Sequence, residues 1–354
     1  MSSRKIKVAV LGIGNIATKS HIPAFLSNKH VDLTAIVDID KSRVEKIAKK
    51  FGIRKSFSSV DELFEEEELD AVSICTPPNT HAELAIKAFK NNVHVLCEKP
   101  IATSIDDGLK MCETAKKHAS IFEVGFNLRF RSNYMRAKRL VSSGRLGHVY
   151  STEAYFLDRN PLLTWGKSEW FFNPEAGGGV LLDKGPHVFD LLNYFFGDFP
   201  TAISAQSSRY FDSSVEDFCV CVLEYPGSRT GIGVMSWLSP TGIEKLSING
   251  SAQNLFVSPD LLLEVNPTDI AEISLWRQTT EALVSMKFPN LPIPSGRREN
   301  THQHEIDNFV DKILKNQKSD QSALGGLNVL IECEVAKQSI ERKERLLVSP
   351  IKEL

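Results

Sequence analysis

The chain has 354 residues, more than one domain usually holds, and its 42% hydrophobic and 24% charged residues are those of an ordinary globular protein. A formal net charge of -2 argues against a general nucleic-acid binder, and no uninterrupted apolar run is long enough to span a bilayer. The six scattered cysteines have no Cys-x-x-Cys spacing, and the opening apolar strand is too short for a signal-peptide core, so the expectation is reduced thiols in a cytoplasmic protein.

Short apolar runs rich in β-branched residues predict buried parallel strands at Val8–Leu11, Leu33–Val37, Ala71–Cys75, Val93–Leu96 and Ile121–Val124. Amphipathic stretches between them, Arg43–Phe51, Ala82–Asn91 and Ile105–His118, predict crossover helices, with the acidic run Glu65–Glu68 as a solvated helix end. This alternation predicts an α/β, Rossmann-type doubly wound parallel sheet over residues 1–125.

Residues 126–354 read differently. A connecting helix at Arg131–Val141 precedes longer alternating segments at His148–Leu157, Ala202–Tyr210, Phe218–Glu224, Thr230–Trp237 and Glu244–Asn249, then two helices at His304–Lys315 and Leu327–Arg342. The pattern predicts an α+β domain with an open, mostly antiparallel sheet, serving substrate binding and oligomerisation. Ser285–Thr301 reads as an irregular surface loop. Along Phe218–Leu223 and Gly231–Trp237, apolar side chains fall on both faces, so a second copy is expected to cover the outer face in a homodimer or homotetramer.

Gly12-Ile13-Gly14-Asn15-Ile16-Ala17 follows the first strand and matches G-x-G-x-x-G/A. Gly12 permits the tight turn, Gly14 removes the side chain that would hold a pyrophosphate off the backbone, and Ala17 allows close helix packing. Glycines also serve plain turns. The second strand, however, ends at Asp38, about twenty residues on, where a carboxylate can accept from adenosine ribose hydroxyls. Ile39 and Asp40 follow, with no arginine until Arg43, so a 2′-phosphate would meet two carboxylates. NAD is expected, and NADP is disfavoured.

Two segments end predicted strands where ligands of open α/β sheets bind: Thr76-Pro77-Pro78-Asn79-Thr80-His81 and Cys97-Glu98-Lys99-Pro100. Downstream come Trp170-Phe171-Phe172-Asn173-Pro174 and Gly177-Gly178-Gly179, then Asp183-Lys184-Gly185-Pro186-His187. His187 offers a base that is largely neutral at pH 7, and Lys99 offers a fixed positive charge. Singly, each has a plainer reading: a surface histidine, a solvated lysine, and for Asp183 a helix cap.

With Asn127-Leu128-Arg129-Phe130 added, these motifs resemble the glucose–fructose oxidoreductase / inositol dehydrogenase (Gfo/Idh/MocA) family over essentially the whole chain. The pairing of E-K-P with D-x-G-x-H makes the resemblance specific. It implies NAD(H)-dependent hydride transfer to or from a secondary alcohol or ketone of a sugar, sugar derivative or cyclitol. It implies catalytic Lys99, Asp183 and His187, and a cis peptide before Pro100. Cofactor contacts would come from Gly12, Gly14, Asn15, Ile16, Ala17, Asp38, Thr76, Pro77, Asn79, His81, Glu98, Lys99 and Asn127. Substrate contacts would come from Arg129, Trp165, Trp170 and Lys184 beside the catalytic three, although Lys184 occupies a position commonly apolar in the family. Asp183 and His187 share a helix face, or Pro186 opens the helix with Asp183 in the preceding turn. No metal site is expected, because His302 and His304, two apart, face different ways on a helix. Lys184, Arg297 and Arg298 raise the idea of an anionic substrate. Other readings are a carbonyl reductase and a non-catalytic NAD(H)-binding regulator.

Overall fold

The structure, a computed structural model, describes residues 4–160, 169–174, 178–211, 214–265, 299–317 and 322–353. Six parallel strands form the first sheet: β1 (Ile6–Leu11), β2 (Val31–Val37), β3 (Lys55–Phe57), β4 (Ala71–Ile74), β5 (His94–Glu98) and β6 (Phe122–Gly125), in the order β3-β2-β1-β4-β5-β6. Their continuous apolar runs follow from helices covering both faces. The five predicted strands agree with the observed ones to within two residues at each end. The edge strand β3 was not predicted, because Lys55-Ser56-Phe57 buries only Phe57 and carries no apolar run.

A π-helical turn at Ala17–His21 runs into α1 (Ile22–Ser27). Helices α2 (Lys41–Phe51), α3 (Val60–Glu66), α4 (His81–Lys90) and α5 (Ile105–Lys117) make the crossovers. Asp40, Ser59 and Ser104 cap α2, α3 and α5 by accepting from Arg43 N, Asp61 N and Asp107 N.

Helix α6 (Ser132–Ser142) leads to the second sheet, ordered β13-β12-β11-β7-β10-β9-β8-β14. Its strands are β7 (Val149–Leu157), β8 (Ala202–Ser208), β9 (Phe218–Tyr225), β10 (Arg229–Ser236), β11 (Ile243–Gly250), β12 (Asn254–Val257), β13 (Leu262–Val265) and β14 (Leu346–Leu347). All neighbours are antiparallel except β7 and β10, which run parallel at its centre. The last three strands are short and went unpredicted. Residues 285–298 of the predicted loop lie outside the described residues.

Helix α7 (Val180–Phe196) lies on the inner face of this sheet, close to β10 because two glycines of that strand face it. A Cβ at Gly233 would sit 2.6 Å from Val188 Cγ1, and one at Gly231 3.2 Å from Leu192 Cδ1. Two glycines in one strand therefore set the depth of the helix. Gly185, on the helix itself, would meet Cys333 Sγ at 3.3 Å and so admits α9 (Ser322–Arg342). Helix α9 starts five residues before its predicted start, because Gly325-Gly326 reads as a breaker; in fact a Cβ at Gly326 would press on Val124 of β6 at 2.7 Å. Helix α8 (Thr301–Leu314) returns to the first sheet, where Ile306, Phe309 and Val310 join the core of Val8, Val10 and Phe25. Among the described residues no helix is long and apolar enough to cross a membrane.

Gly233→Ala should lower stability by about 1–3 kcal/mol, since overpacking a closed contact forces strand and helix apart. A fall in the urea midpoint at constant slope would register it; an unchanged midpoint would show that α7 is free to shift.

Candidate active site

The first sheet reverses its strand order between β1 and β4, which opens a crevice at the strands' carboxyl ends. Gly12 leaves β1 with φ +85°, and a Cβ there would lie 2.7 Å from Thr76 Cγ2, so glycine alone lets the two loops pass. At Gly14 a Cβ would meet nothing within 4 Å. Gly14 and Asn15 are exposed, Ile16 is half-buried, and Ala17 is buried under the helix they open. Asp38 Oδ2 accepts from Ile13 N at 2.8 Å and Oδ1 from Asp40 N at 3.0 Å, tying the glycine loop to β2. Open space before an exposed helix start, with a carboxylate closing the β2 side, fits a dinucleotide. Arg43 modifies the expected cofactor preference. Its guanidinium lies 3.6 Å from Asp38 and 3.2 Å from Asp40, partly neutralising the carboxylates that would repel a 2′-phosphate.

The loop after β4 leaves Pro77 and Asn79 exposed and Thr76 half-buried. His81 is placed differently from the expectation. It is fully buried, with Nδ1 2.9 Å from Pro100 O and Nε2 2.9 Å from Thr76 O, so it clamps two loops and presents no edge to the crevice. Burial holds its pKa down. Asn127 is likewise engaged, donating to Thr301 Oγ1 at 2.8 Å. Glu98 Oε2 accepts from Lys99 N at 3.2 Å, and Oε1 lies 2.8 Å from His21 Nε2, whose Nδ1 meets Ser73 Oγ at 2.8 Å. Burial pushes the Glu98 carboxyl up, yet the His21 bond and charge, with His302 and Lys99, bring it down to about 2. No metal was expected from the sequence, yet His21, Glu98 and His302 gather potential ligand atoms within 4.8 Å of one another. They come from three separate segments, which spacing cannot reveal. Both ring nitrogens of His21 are engaged by protein atoms.

The chemistry-bearing side chains meet beside β5. The Lys99–Pro100 peptide is cis, and Lys99 Nζ donates to Asp183 O at 2.9 Å and lies 3.4 Å from Asp183 Oδ1. Asp183 and His187 share α7, which starts at Val180 and keeps Pro186 inside it, so the one-helix arrangement holds. Gly179, at φ +108°, precedes the helix; Glu216 Oε1 accepts from Leu181 N at 2.9 Å and supplies the missing cap. Asp183 Oδ2 accepts from Trp237 Nε1 at 3.1 Å. Burial alone would raise the Asp183 carboxyl, but Lys184, Lys99, the indole bond and His187 hold it well below the usual range. His187 is held well below the ordinary imidazole value, first by burial and then by the Lys99 and Lys184 charges, against Asp183 and Glu98. Its Nδ1 is buried with no hydrogen-bond partner. A neutral imidazole, an ammonium and a carboxylate thus share one site.

Two expected substrate contacts are committed elsewhere. The Arg129 guanidinium grips the buried Asp190 carboxylate with bonds of 2.6–3.0 Å, a fork that satisfies the acid inside the fold. Lys184 is paired with Asp158 and lies 3.5 Å from Asp183 Oδ2. Trp165, Arg297 and Arg298 lie outside the described residues, as does the side chain of Trp170, whose backbone belongs to the turn Glu169–Phe172. Sequence reasoning missed Asp158, Glu216 and Trp237. They come from distant strands and carry no motif; only the placement of Trp237 at the end of a predicted strand pointed toward the site.

Fold and site together define a dinucleotide-binding oxidoreductase. The model for "Oxidoreductase family, NAD-binding Rossmann fold" matches residues 6–126, and that for the "GFO/IDH/MocA C-terminal domain" matches residues 134–255, about two thirds of the chain between them. The chain belongs to the Gfo/Idh/MocA family of NAD-binding oxidoreductases. It is similar to myo-inositol 2-dehydrogenase of Thermotoga maritima, 26% identical over 98% of this chain and 99% of the relative. It is 30% identical to D-glucoside 3-dehydrogenase of Escherichia coli over 62% of each chain. A structure titled levoglucosan dehydrogenase, in complex with NADH and levoglucosan, superposes with a TM-score of 0.84 at 20% identity, covering 98% of this chain and 100% of that one.

Asp38→Ala should weaken NAD about tenfold and narrow its margin over NADP, because a paired acceptor typically contributes about 1–3 kcal/mol. Unaltered KM values for both cofactors would show that Asp38 does not face the ribose.

Proposed function

We propose that the chain reversibly oxidises one secondary hydroxyl of a sugar, sugar derivative or cyclitol, with Lys99, Asp183 and His187 as catalytic residues. The observation that carries this reading is the half-buried His187 imidazole, whose enclosed Nδ1 has no hydrogen-bond partner and which is kept neutral near the Lys99 ammonium. His187 takes the hydroxyl proton, Lys99 steadies the oxygen as it becomes negative, and Asp183 fixes the lysine by accepting from it. Gly12, Gly14, Asn15, Ile16, Ala17, Asp38, Thr76, Pro77, Asn79 and Glu98 would hold NAD; once bound, its nicotinamide supplies the hydride acceptor. The reverse, ketone reduction, uses the same groups. A regulator without turnover would have no use for a matched base and ammonium.

The named relatives act on inositols and glucosides, which supports a polyol or sugar-like substrate. The pairing of Lys184 with two carboxylates gives no free charge to a substrate anion, so a neutral substrate is preferred at that end. The outer face of the second sheet exposes Val222, Ile243 and Phe256, which supports a face-to-face dimer or tetramer. Six buried free thiols accord with a reducing cytoplasmic setting.

Lys99→Ala and His187→Ala should each lower kcat about 100- to 10,000-fold while NAD binding, read by calorimetry, survives. NADH formation across inositols, hexoses and their derivatives is the assay; retention of half the wild-type kcat by His187→Ala would exclude it as the base. Because the imidazole is neutral above its lowered pKa, kcat/KM for oxidation should stay flat through neutral pH and fall only below the ordinary value of 6.5. A midpoint at or above that value would contradict the assignment. For assembly, Val222→Glu should shift sedimentation toward the monomer, whereas an unchanged oligomer would place the interface elsewhere.

A further inference from the structure

Lys184 is the one charged residue of the D-K-G-P-H segment that the reaction as proposed does not use. Its ammonium reaches from α7 past the end of the second sheet to Asp158, just beyond β7, and stays 3.5 Å from Asp183 Oδ2. Asp158 is itself held by backbone: its N donates to Ser236 O at 2.7 Å, and its O accepts from Ser239 N at 3.1 Å. The lysine side chain is 15% exposed, whereas that of Asp158 is 46% exposed. The arrangement is a chain of alternating charge: Asp158, Lys184, Asp183, Lys99. Asp183 therefore lies between two ammonium groups, with the Trp237 indole on the same oxygen that faces Lys184.

We propose that Lys184 is a positioning residue for the reaction: bridged to Asp158, it fixes the Asp183 carboxylate from behind and sets a second ammonium on the helix that carries His187, instead of meeting a substrate anion. The inference rests on the functional reading above. Its physical content is directional. Four charged groups act on His187: Lys99 and Glu98 from the end of β5, and Asp183 and Lys184 from its own helix. The two ammonium groups disfavour the imidazolium and the two carboxylates favour it. Removing Lys184 leaves Lys99 alone against Asp183 and Glu98, and Asp183 loses one of its two ammonium neighbours. The imidazole should then hold its proton to higher pH. Asp158 explains why such a charge is tolerated here: a lysine this buried is costly without a counter-ion, and the half-exposed Asp158 supplies one where water can still reach it.

The test is a titration of His187 in the full-length protein with NAD bound, by NMR of selectively labelled histidine, with His187→Asn to assign the signal. Lys184→Met should raise the His187 midpoint by about one to two pH units, the span that one nearby charge moves a titrating group. Lys184→Arg should restore it. On the substrate identified by the panel, the acid limb of kcat/KM should move up by the same amount in Lys184→Met. A fixed His187 midpoint would overturn the proposal. So would a loss confined to KM for anionic substrates, which would make Lys184 an anion contact. If Lys184→Met proves unstable, Asp158→Asn poses the same question with the opposite sign: it leaves the lysine charge uncompensated, so the midpoint should not rise. Because the NMR readout needs no turnover, a midpoint shift in a protein inactive on every polyol would fault the functional reading and leave the coupling standing.

Discussion

Asp183 accepts from a lysine that belongs to the other half of the molecule. Lys99 ends a strand of the dinucleotide-binding sheet, and Asp183 lies in the first turns of the helix that covers the second sheet. This contact joins the two halves at the proposed catalytic site, and much of the surrounding architecture serves to aim it. The His81 clamp on Pro100 O and Thr76 O fixes the lysine's loop. Glycines at 231 and 233 let the helix sit low on its strand, and Glu216 closes its start. Where Asp183 sits depends on all of these supports.

The consequence for reactivity is electrostatic. A carboxylate this buried would ordinarily take up a proton, since burial penalises its charged form. Two ammonium groups and an indole N–H reverse the balance and keep it ionised. Burial first, and then the same two ammonium groups, act on His187 with the opposite result and hold it neutral. The two neighbouring groups thus rest in the protonation states that the proposed alcohol oxidation would need.

Much of the fold was legible in the sequence because both sheets announce themselves by period. Buried parallel strands give unbroken apolar runs, and half-covered antiparallel strands alternate. What failed to show were elements too short to carry a period, such as Lys55–Phe57, and the start of α9, where a glycine pair that reads as a breaker serves close packing on Val124. At the site, the motifs gave Lys99, Asp183 and His187 because their residue types suit the reaction at that spacing. Motifs could not say which polar groups are already spent. His81, Asn127, Arg129 and Lys184 each had a plausible ligand role, and each is committed to a protein partner whose position only the folded chain supplies: Thr76 and Pro100, Thr301, Asp190, Asp158. Long-range pairing of polar groups leaves no periodic trace.

Buried charge alone does not distinguish an active centre in this protein. Lys312 with Glu123 is as enclosed as Lys99 with Asp183, and Arg129 pairs with an acid, Asp190, that is more buried still. Nor does a missing partner suffice. Glu305 is buried with neither carboxyl oxygen bonded, beside a cavity of about 70 Å³ lined by Leu96, Phe126 and Phe309. There burial first, and then the neighbouring carboxylates Glu98, Glu123 and Asp190, push its pKa well up against the opposing His21, so Glu305 escapes its cost by staying protonated. His187 has no comparable need, because a neutral imidazole is already its favoured state and its ring remains basic. A buried acid made neutral has lost its function as a base, whereas a half-buried imidazole made neutral has gained it. That asymmetry, with a fixed ammonium beside it and the dinucleotide crevice adjoining, separates the site from the structural ion pairs around it.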